Sequence, residues 1–528
     1  MTKPQDLRLR FGRAPLPILL LLSGCAVGPD FAAPEPPRAQ DYTAERLSAT
    51  ASAAARGGGA QSFVKEQDIP GAWWTLFHSK PLNRLIEAAL ANNHDLKAAE
   101  AGLKAAQEAV EAQKGFFYPT VTGTPSGYRQ AQAQAISPTL SAPPPSNVFN
   151  LYTPQVNVSY SPDVWGLNRR NVESLQAQTD MQRFQTEATY LTLTSNIVVG
   201  AVQEASYRGQ IDATKKAIAT MRDLLGIIRK EKALGQTAEA DVALQEAALA
   251  QAEAALPVLE KQLAQQRDLL TALIGGLPSQ PPSETFELSG LHLPEKLPVS
   301  VPAALIWQRP DVRAAEENMH SALALVGVAL ANRLPQVEIT GNAGATASVL
   351  SQLFTPGNYF WQFGGQITQT FFDGGTLMHR QAAAEATAVQ AAEQYKGSVI
   401  NALQNVADAL RAIQHDADNL KVAAAAEAAA AKSLTIAQGQ RKLGMVSTVA
   451  VLLAQQTYLN AVVTRVQAQA LRYADTAALF QALGGGWWNR PHELDRVETV
   501  AKAKIFDFDL YPGQQQIKSE DYAPAPAK

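Results

Sequence analysis

The chain uses one pattern twice, and any fold it adopts has to accommodate that. "LGQTAEADVALQEAALAQAEA" from Leu234 is answered 209 residues later by "LGMVSTVAVLLAQQTYLNAVV" from Leu443. Each runs to a glycine stop at the same distance, Gly275-Gly276 in the first half and Gly484-Gly485-Gly486 in the second. Upstream, "QTEATYLTLTSNIVVGAVQEA" from Gln185 pairs with "QYKGSVINALQNVADALRAIQ" from Gln394, and "PDVWGLNRR" pairs with "FFDGGTLMHR" once one residue is dropped. "AEAGLKAAQEAVEAQKGFFYPTV" from Ala99 resembles "AEENMHSALALVGVALANRLPQV" from Ala315. Self-similarity at a fixed offset marks a supersecondary unit used repeatedly. The unit here reads as helix, two extended segments, long helix, turn, helix.

The helices carry seven-residue seams. Val242, Leu249, Leu256, Leu263 and Leu270 form one, and Leu452, Leu459, Val466, Tyr473 and Phe480 another. Val399, Val406, Ile413 and Leu420 mark the helix before the second turn, and Leu96, Leu103 and Val110 the first helix of the chain. Such a period keeps one face against a partner helix. No proline occurs from Arg169 to Leu234, which at 1.5 Å per residue predicts a helix of roughly 100 Å. Pro257 is expected to interrupt and kink the helix after it. Low aromatic content (7%) and low charge (18%) suit long helices better than a string of enzyme domains. Taken alone, the seams fit a simple helical bundle.

The extended segments argue against a bundle. In "PQVNVSYS", Val156, Val158 and Tyr160 alternate with Gln155, Asn157 and Ser159. In "PQVEITGNAG", Val337 and Ile339 alternate with Gln336, Glu338 and Thr340. In "YFWQFGGQITQTFF", Tyr359, Trp361, Phe363 and Ile367 alternate with Gln362, Gln366, Thr368 and Thr370. Period two separates an apolar from a polar face. With Phe116, Phe117, Tyr118 and Trp165 close by, it matches the apolar-out, polar-in, aromatic-girdled strands of a transmembrane barrel; a half-buried sheet of a soluble domain shares only the alternation. "AQAISPTLSAPPPSN" and "LSQLFTPGN" read as exposed loops between the strands. Beyond the N-terminal leader no apolar run is long enough for a membrane helix, so a span has to be made of strands. Four strands cannot close a barrel, since known barrels begin at eight. The chain must therefore assemble.

The N-terminus explains the chain's single cysteine. Arg8, Arg10 and Arg13 precede the short apolar run "APLPILLLL", the order of a secretory signal. The run ends in Leu22-Ser23-Gly24-Cys25, which resembles a bacterial lipobox, so Cys25 is expected to be acylated as the mature N-terminus; the bland alternative is an ordinary signal with a chance cysteine. Ala26 follows where Asp would favour the inner membrane, pointing to the outer one. One cysteine also excludes an intrachain disulfide.

"GCAVGPDFAAPEPP", "AWWTLFHSKPLNRLIEAALANNHDL", the two "LG" turns and "ALGGGWW" together resemble the TolC-like outer-membrane efflux proteins, in their lipidated drug-pump branch, over nearly the whole mature chain to about Pro491. The resemblance implies an α+β membrane protein: a homotrimer sharing one 12-stranded β-barrel, four strands per chain, continued by a coiled-coil periplasmic tunnel. It implies an exit duct for drugs or other small toxic compounds, partnered by a periplasmic adaptor and a proton-driven inner-membrane transporter. Export of proteins or of metal ions remains open, and a non-channel structural lipoprotein is a more distant alternative. The expected divisions are a signal peptide at 1–24, a lipidated extended segment at 25–70, a first repeat at 71–275 with strands about 119–165, a linker at 276–302, a second repeat at 303–486 with strands about 335–373, and a tail at 487–528.

In that family the tunnel closes near its periplasmic tips. The tips here are Leu234, Gly235, Gln236 and Thr237, and Leu443, Gly444, Met445, Val446 and Ser447; they are expected to be bare turns of short side chains to which the adaptor docks. A carboxylate ring just inside is expected at Asp241. In the second half the family's acidic positions fall on Ala450 and Leu453, a departure that thins the ring or makes the closure apolar. Glu239 and Glu246 could compensate, and Asp408 and Arg411, one turn apart, could pair or face the lumen. For each of these charges a plainly solvated helix position is the competing reading.

Other functional classes fit poorly. The seven histidines are scattered without HExxH or metal spacing, and "RGGGAQ" lacks the lysine and helix of a phosphate loop. A net charge of −3 does not suit nucleic acid. No enzyme activity, cofactor or metal site is expected.

Overall fold

A computed structural model describes residues 26–45, 49–65, 67–131 and 148–490. The expected signal peptide at 1–24, Cys25, the proline-rich loop at 132–147 and the tail beyond Arg490 lie outside the described residues. The N-terminal segment leads through the short strand β1 (Ser62–Lys65) and a 3-10 turn (Trp73–Phe77) into α1 (Lys80–Asn92) and α2 (His94–Lys114). Strands β2 (Thr120–Thr124), β3 (Gly127–Ala131), β4 (Val148–Tyr152) and β5 (Gln155–Tyr160) follow, then α3 (Leu167–Ala233) and α4 (Glu239–Leu273). After β6 (Lys296–Val299), the second half comprises α5 (Pro302–Gln308), α6 (Pro310–Ala331), β7 (Gln336–Ala345), β8 (Tyr359–Thr368), α7 (Thr376–Lys442) and α8 (Thr448–Ala482). The long helices α3 and α7 have 67 residues each, and the returning α4 and α8 have 35 each.

Local chemistry sets these boundaries. α3 and α7 both start after a left-handed glycine, Gly166 and Gly375. A preceding aspartate occupies the free amides of each first turn: Asp163 accepts from the Asn168 and Arg169 N–H, and Asp373 from the Gly375 and Leu377 N–H. All four long helices end with a glycine at positive φ: Gly235, Gly275, Gly444 and Gly484. At each, two backbone bonds turn back on the last helical carbonyls, as in Gly235 N–H to Lys232 O and Gln236 N–H to Glu231 O, both 2.9 Å. α4 is not interrupted at Pro257, contrary to expectation; it continues for four turns beyond it. Proline removes one backbone bond, and long helix on either side holds the rest.

The linker is more structured than its composition indicates. β6 pairs in parallel with β1, Ser62 opposite Lys296, so the N-terminal segment is stitched to the middle of the chain. The main core lies at this level. Trp73 stacks on Phe480 at 5.3 Å, and Phe77, Leu82, Ile86, Ile197 and Leu410 are fully buried around them. The seam residues Leu96, Leu103, Val110, Val242, Leu249, Val406, Ile413, Leu420, Val466, Tyr473 and Phe480 are all buried, and Leu256, Leu263, Leu452 and Leu459 partly so.

The principal sheet has the order β2-β5-β7-β8 and is antiparallel throughout. β3 and β4 continue β2 and β5 as a paired hairpin, the two ladders separated where Pro125 and Pro154 cannot donate. Within the described residues each half thus supplies two strands to the sheet. Side by side, the helices run α2-α3-α6-α7 near the sheet and α4-α3-α8-α7 towards the tips.

Candidate functional site: the sheet face and the helical tips

The register sorts the sheet into two chemically distinct faces. Val121, Val156, Val158, Val337, Ile339, Trp361, Phe363 and Ile367 share one face, whereas Thr122, Gln155, Asn157, Ser159, Glu338, Thr340, Asn342, Gln362 and Gln366 share the other. On the apolar face small residues of β7 oppose large ones of β8: Gly341 faces Phe363 and Ala343 faces Trp361. On the polar face Gln366 donates to Glu338 at 2.7 Å. Nothing among the described residues covers the apolar face, where Trp361 is 80% exposed and Phe363 75%. Removing eight such side chains from water is worth on the order of 15 kcal/mol per chain. β7 and β8 have ten residues each, the length a tilted strand needs to cross a bilayer. Phe371 and Phe372, 95% and 91% exposed, lie at one end with Phe116 and Tyr118; Tyr359 and Phe354 lie at the other. This is the placement of two interfacial aromatic girdles. No helix among the described residues is long and apolar enough to cross a membrane.

The tips lie at the far ends of the two long hairpins. They are not bare turns of short side chains, as anticipated. Leu234, Leu443 and Met445 stand exposed beside the left-handed glycines Gly235 and Gly444. Gln236 and Ser447 are exposed, and Thr237 and Val446 partly so. Asp241, in the first turn of α4, accepts a hydrogen bond from Thr237 Oγ1 at 2.8 Å and is half-buried. A carboxylate in a first turn also meets the positive end of the helix dipole. Glu239 and Glu246 do not supplement it as free charges: Glu239 pairs with Lys232, and Glu246 pairs with Arg229 at 2.7 Å, both across the α3–α4 hairpin. Ala450 is half-buried and Leu453 is 62% exposed, so the corresponding stretch of α8 presents an apolar side chain.

Asp408 and Arg411 do not pair with one another. Asp408 accepts from Gln404 at 3.4 Å, and Arg411 reaches Glu45 of the N-terminal segment at 3.4 Å. Glu45 is held below its ordinary carboxylate range by its own backbone amide first and by Arg411 next. The N-terminal segment crosses α7 here, so Arg411 has a partner nearer than Asp408.

One contact at the tips had no sequence signal. Arg441, at the end of α7, forms an ion pair with Glu231, at the end of α3, and donates to Thr448 Oγ1 at 3.1 Å. Both charged side chains are about a quarter exposed, at 23% and 24%. The bond ties one hairpin tip to the other across 210 residues of sequence.

The sequence model of a family described as outer membrane efflux protein matches residues 85–276 and 301–485. The antibiotic efflux pump outer membrane protein ArpC of Pseudomonas putida is 26% identical over 497 residues, covering 92% of this chain and 97% of the relative. Among solved structures, the outer-membrane channel OprN aligns with a TM-score of 0.77 at 25% identity, over 88% of this chain and all of that one. The Campylobacter jejuni outer membrane channel CmeC shares the fold with a TM-score of 0.81 at 22% identity, over 90% of this chain and 98% of that one.

Proposed function

The chain belongs to the outer membrane efflux protein family, and we propose that three copies of it close into one passive exit duct, a twelve-stranded barrel continued by a helical tunnel. The observation that carries this reading is that the chain is left open along the same two edges at every level. The sheet ends in β2 and β8, the helices beneath it end in α2 and α7, and those towards the tips end in α4 and α7. α2 leads into β2 and β8 leads into α7, so each edge is continuous from sheet to tip. A curtain of this kind is completed by head-to-tail copies of itself, and such an interface closes into a ring when the rotation permits. Four strands per chain need at least two copies to reach the smallest known barrel. The two halves of the chain are then a tandem repeat, and the ring is built from six similar units.

The exposed edges carry the side chains a neighbour would cover. On α7, Met378, Val389, Ile400 and Val422 are exposed at multiples of eleven residues, a spacing that keeps them on one nearly straight stripe. On α4, Leu244, Val258 and Leu269 are exposed. We assign the seam between copies to these two faces.

In this arrangement the apolar sheet face meets lipid and the polar face lines the pore. Cys25 carries the lipid that anchors the mature N-terminus in the outer membrane. The tips face the periplasm, where exposed Leu234, Leu443 and Met445 suit an apolar contact with a periplasmic adaptor, which in turn joins an inner-membrane, proton-driven transporter. Drugs and other small toxic compounds are the cargo, selected by that transporter rather than by the duct. The Arg441–Glu231 pair holds the hairpin tips together in the closed state, with Asp241 and Leu453 just inside. No step of this transport is catalysed by the chain.

Planar-bilayer recording tests the proposal. Purified protein is expected to insert as a discrete pore of low open probability. Protein that associates with lipid without ever conducting would overturn the duct reading.

A further inference from the structure

Midway along α8, where the N-terminal segment crosses the α7–α8 pair, the structure buries a charge. Arg472 is fully buried and, among the described residues, bonds only neutral acceptors: Thr50 Oγ1 at 3.0 Å, Gln61 Oε1 at 3.3 Å, and the carbonyls of Gly57 and Gly59 at 3.2 and 2.7 Å. Ala53 and Ala55 of the same segment pack beside Leu420 and Ala468, covering the seam from outside. Burial lowers the proton affinity of Arg472, and the negative charge that offsets this includes Asp416 on α7. Asp416 Oδ2 is sealed from solvent and finds no donor among the described residues. Among the groups that act on Asp416 across the seam is another carboxylate, Asp475 on α8, which raises its proton affinity. Two ionised carboxylates cannot hydrogen-bond, and in a desolvated seam they repel; a proton between them turns the repulsion into a bond.

We propose that Asp416 and Asp475 share one proton across the α7–α8 seam, and that this proton acts as a pH-sensitive clasp on the pair of helices beneath the N-terminal segment. Desolvation first, and then Asp475, push the Asp416 carboxyl up to about 7, against the pull of Arg472. With one proton retained, Arg472 and the aspartate pair sum to zero charge; once it is lost, an extra negative charge sits in the seam. The remaining groups around the pair do not replace that proton. Tyr473 is kept neutral by burial and donates to the Leu291 carbonyl at 3.0 Å. Asp475 also borders a cavity of about 580 Å³ with Asp408 of α7 and with Arg309 and Asp311 at the start of α6, and those last two already form an ion pair at 2.6 Å. Arg411, further along α7, is taken by Glu45.

The direction of the pH effect follows from the raised affinity. The folded state holds a proton that an unfolded carboxylate releases near pH 4. The clasp therefore contributes fully below that value, and its contribution is lost as the pH rises to about 7, after which stability no longer depends on this pair. In a duct, the same helix pair continues to the tip, so proton release would loosen the α7–α8 hairpin; that consequence rests on the duct reading, whereas the shared proton does not.

Infrared titration of the full-length protein in detergent tests the clasp through the carbonyl stretch of a protonated carboxyl group. The parent protein is expected to lose one such group per chain with a midpoint near 7. Asp475→Asn supplies an amide donor to Asp416 in place of the shared proton, and should weaken proton binding at Asp416 at least tenfold, moving its midpoint down by more than one pH unit. Asp416→Asn removes the titrating carboxyl itself and should abolish that band, so either variant suffices if the other fails to fold. Asp180 and Glu317, whose affinities burial also raises, are present in every variant and cancel in the differences. Melting temperature should fall between about pH 5 and pH 7 in the parent and fall less steeply in the variants, where Asp180 and Glu317 alone of these groups remain. A parent without the titrating group, or the same midpoint in parent and variants, would overturn the proposal.

Discussion

Glu231→Gln should raise the open probability of the pore. The substitution keeps the shape of the side chain and removes its charge, so the bond from Arg441 becomes a neutral-acceptor one. An ion pair about a quarter exposed lies between the surface and buried regimes, and a coupling of about 1 kcal/mol is the fitting magnitude. In a threefold assembly the link occurs three times. If the tips part together, about 3 kcal/mol of closing free energy is lost, a shift on the order of a hundredfold in the opening equilibrium. Single-channel recording at moderate salt reads this directly. Glu239→Gln provides the control, since it breaks the pair with Lys232 inside one hairpin and leaves the link between hairpins intact. Adding Arg441→Ala to Glu231→Gln should cost little more, because the pair is already broken. An unchanged open probability in Glu231→Gln, or an equal rise in Glu239→Gln, would refute the idea that this bond holds the tips.

Cys25→Ser should yield a protein without lipid, read as a mass loss at the N-terminus, while the pore still forms because the strands make their own membrane contact. Asp241→Ala should lower the preference for cations over anions, measured as a reversal potential in a salt gradient, with trimer yield unchanged; a half-exposed charge contributes at most about 0.5 kcal/mol to stability. Gly484→Val should lower the melting temperature sharply. Gly484 has φ +90, and a Cβ there would lie 2.1 Å from the Gln308 carbonyl oxygen, so backbone rather than a side chain has to move.

What could be read from the sequence was whatever repeats at short range. The alternation through Val156, Val158 and Tyr160, and through Trp361, Phe363 and Ile367, is a local signal, and those residues fall on one face of one sheet. The glycine stops could be read because positive φ has few alternatives to glycine. Contacts between distant residues gave no such signal. β1 and β6 are four-residue strands whose paired residues lie 234 positions apart, without clear alternation, and their pairing arises from the way the N-terminal segment crosses the helices. In sequence, Arg441 and Glu231 look like ordinary helix-end charges, and only the side-by-side packing of α3 and α8, with α7 next to α8, brings them together. Nothing local in the sequence marks Arg472 as buried, yet the N-terminal segment covers it completely. The exposure of the tip leucines was not legible either: whether Leu234 or Leu443 is covered depends on distant parts of the chain, and none of the described residues covers them.

On the proposed reading, a chain with two open edges is completed by copies of itself. Native mass spectrometry of protein extracted in mild detergent counts those copies. Three mature chains per particle are expected, with no monomer surviving under conditions that preserve the pore. A stable, conducting particle of one chain would contradict this, because the sheet would then close on itself.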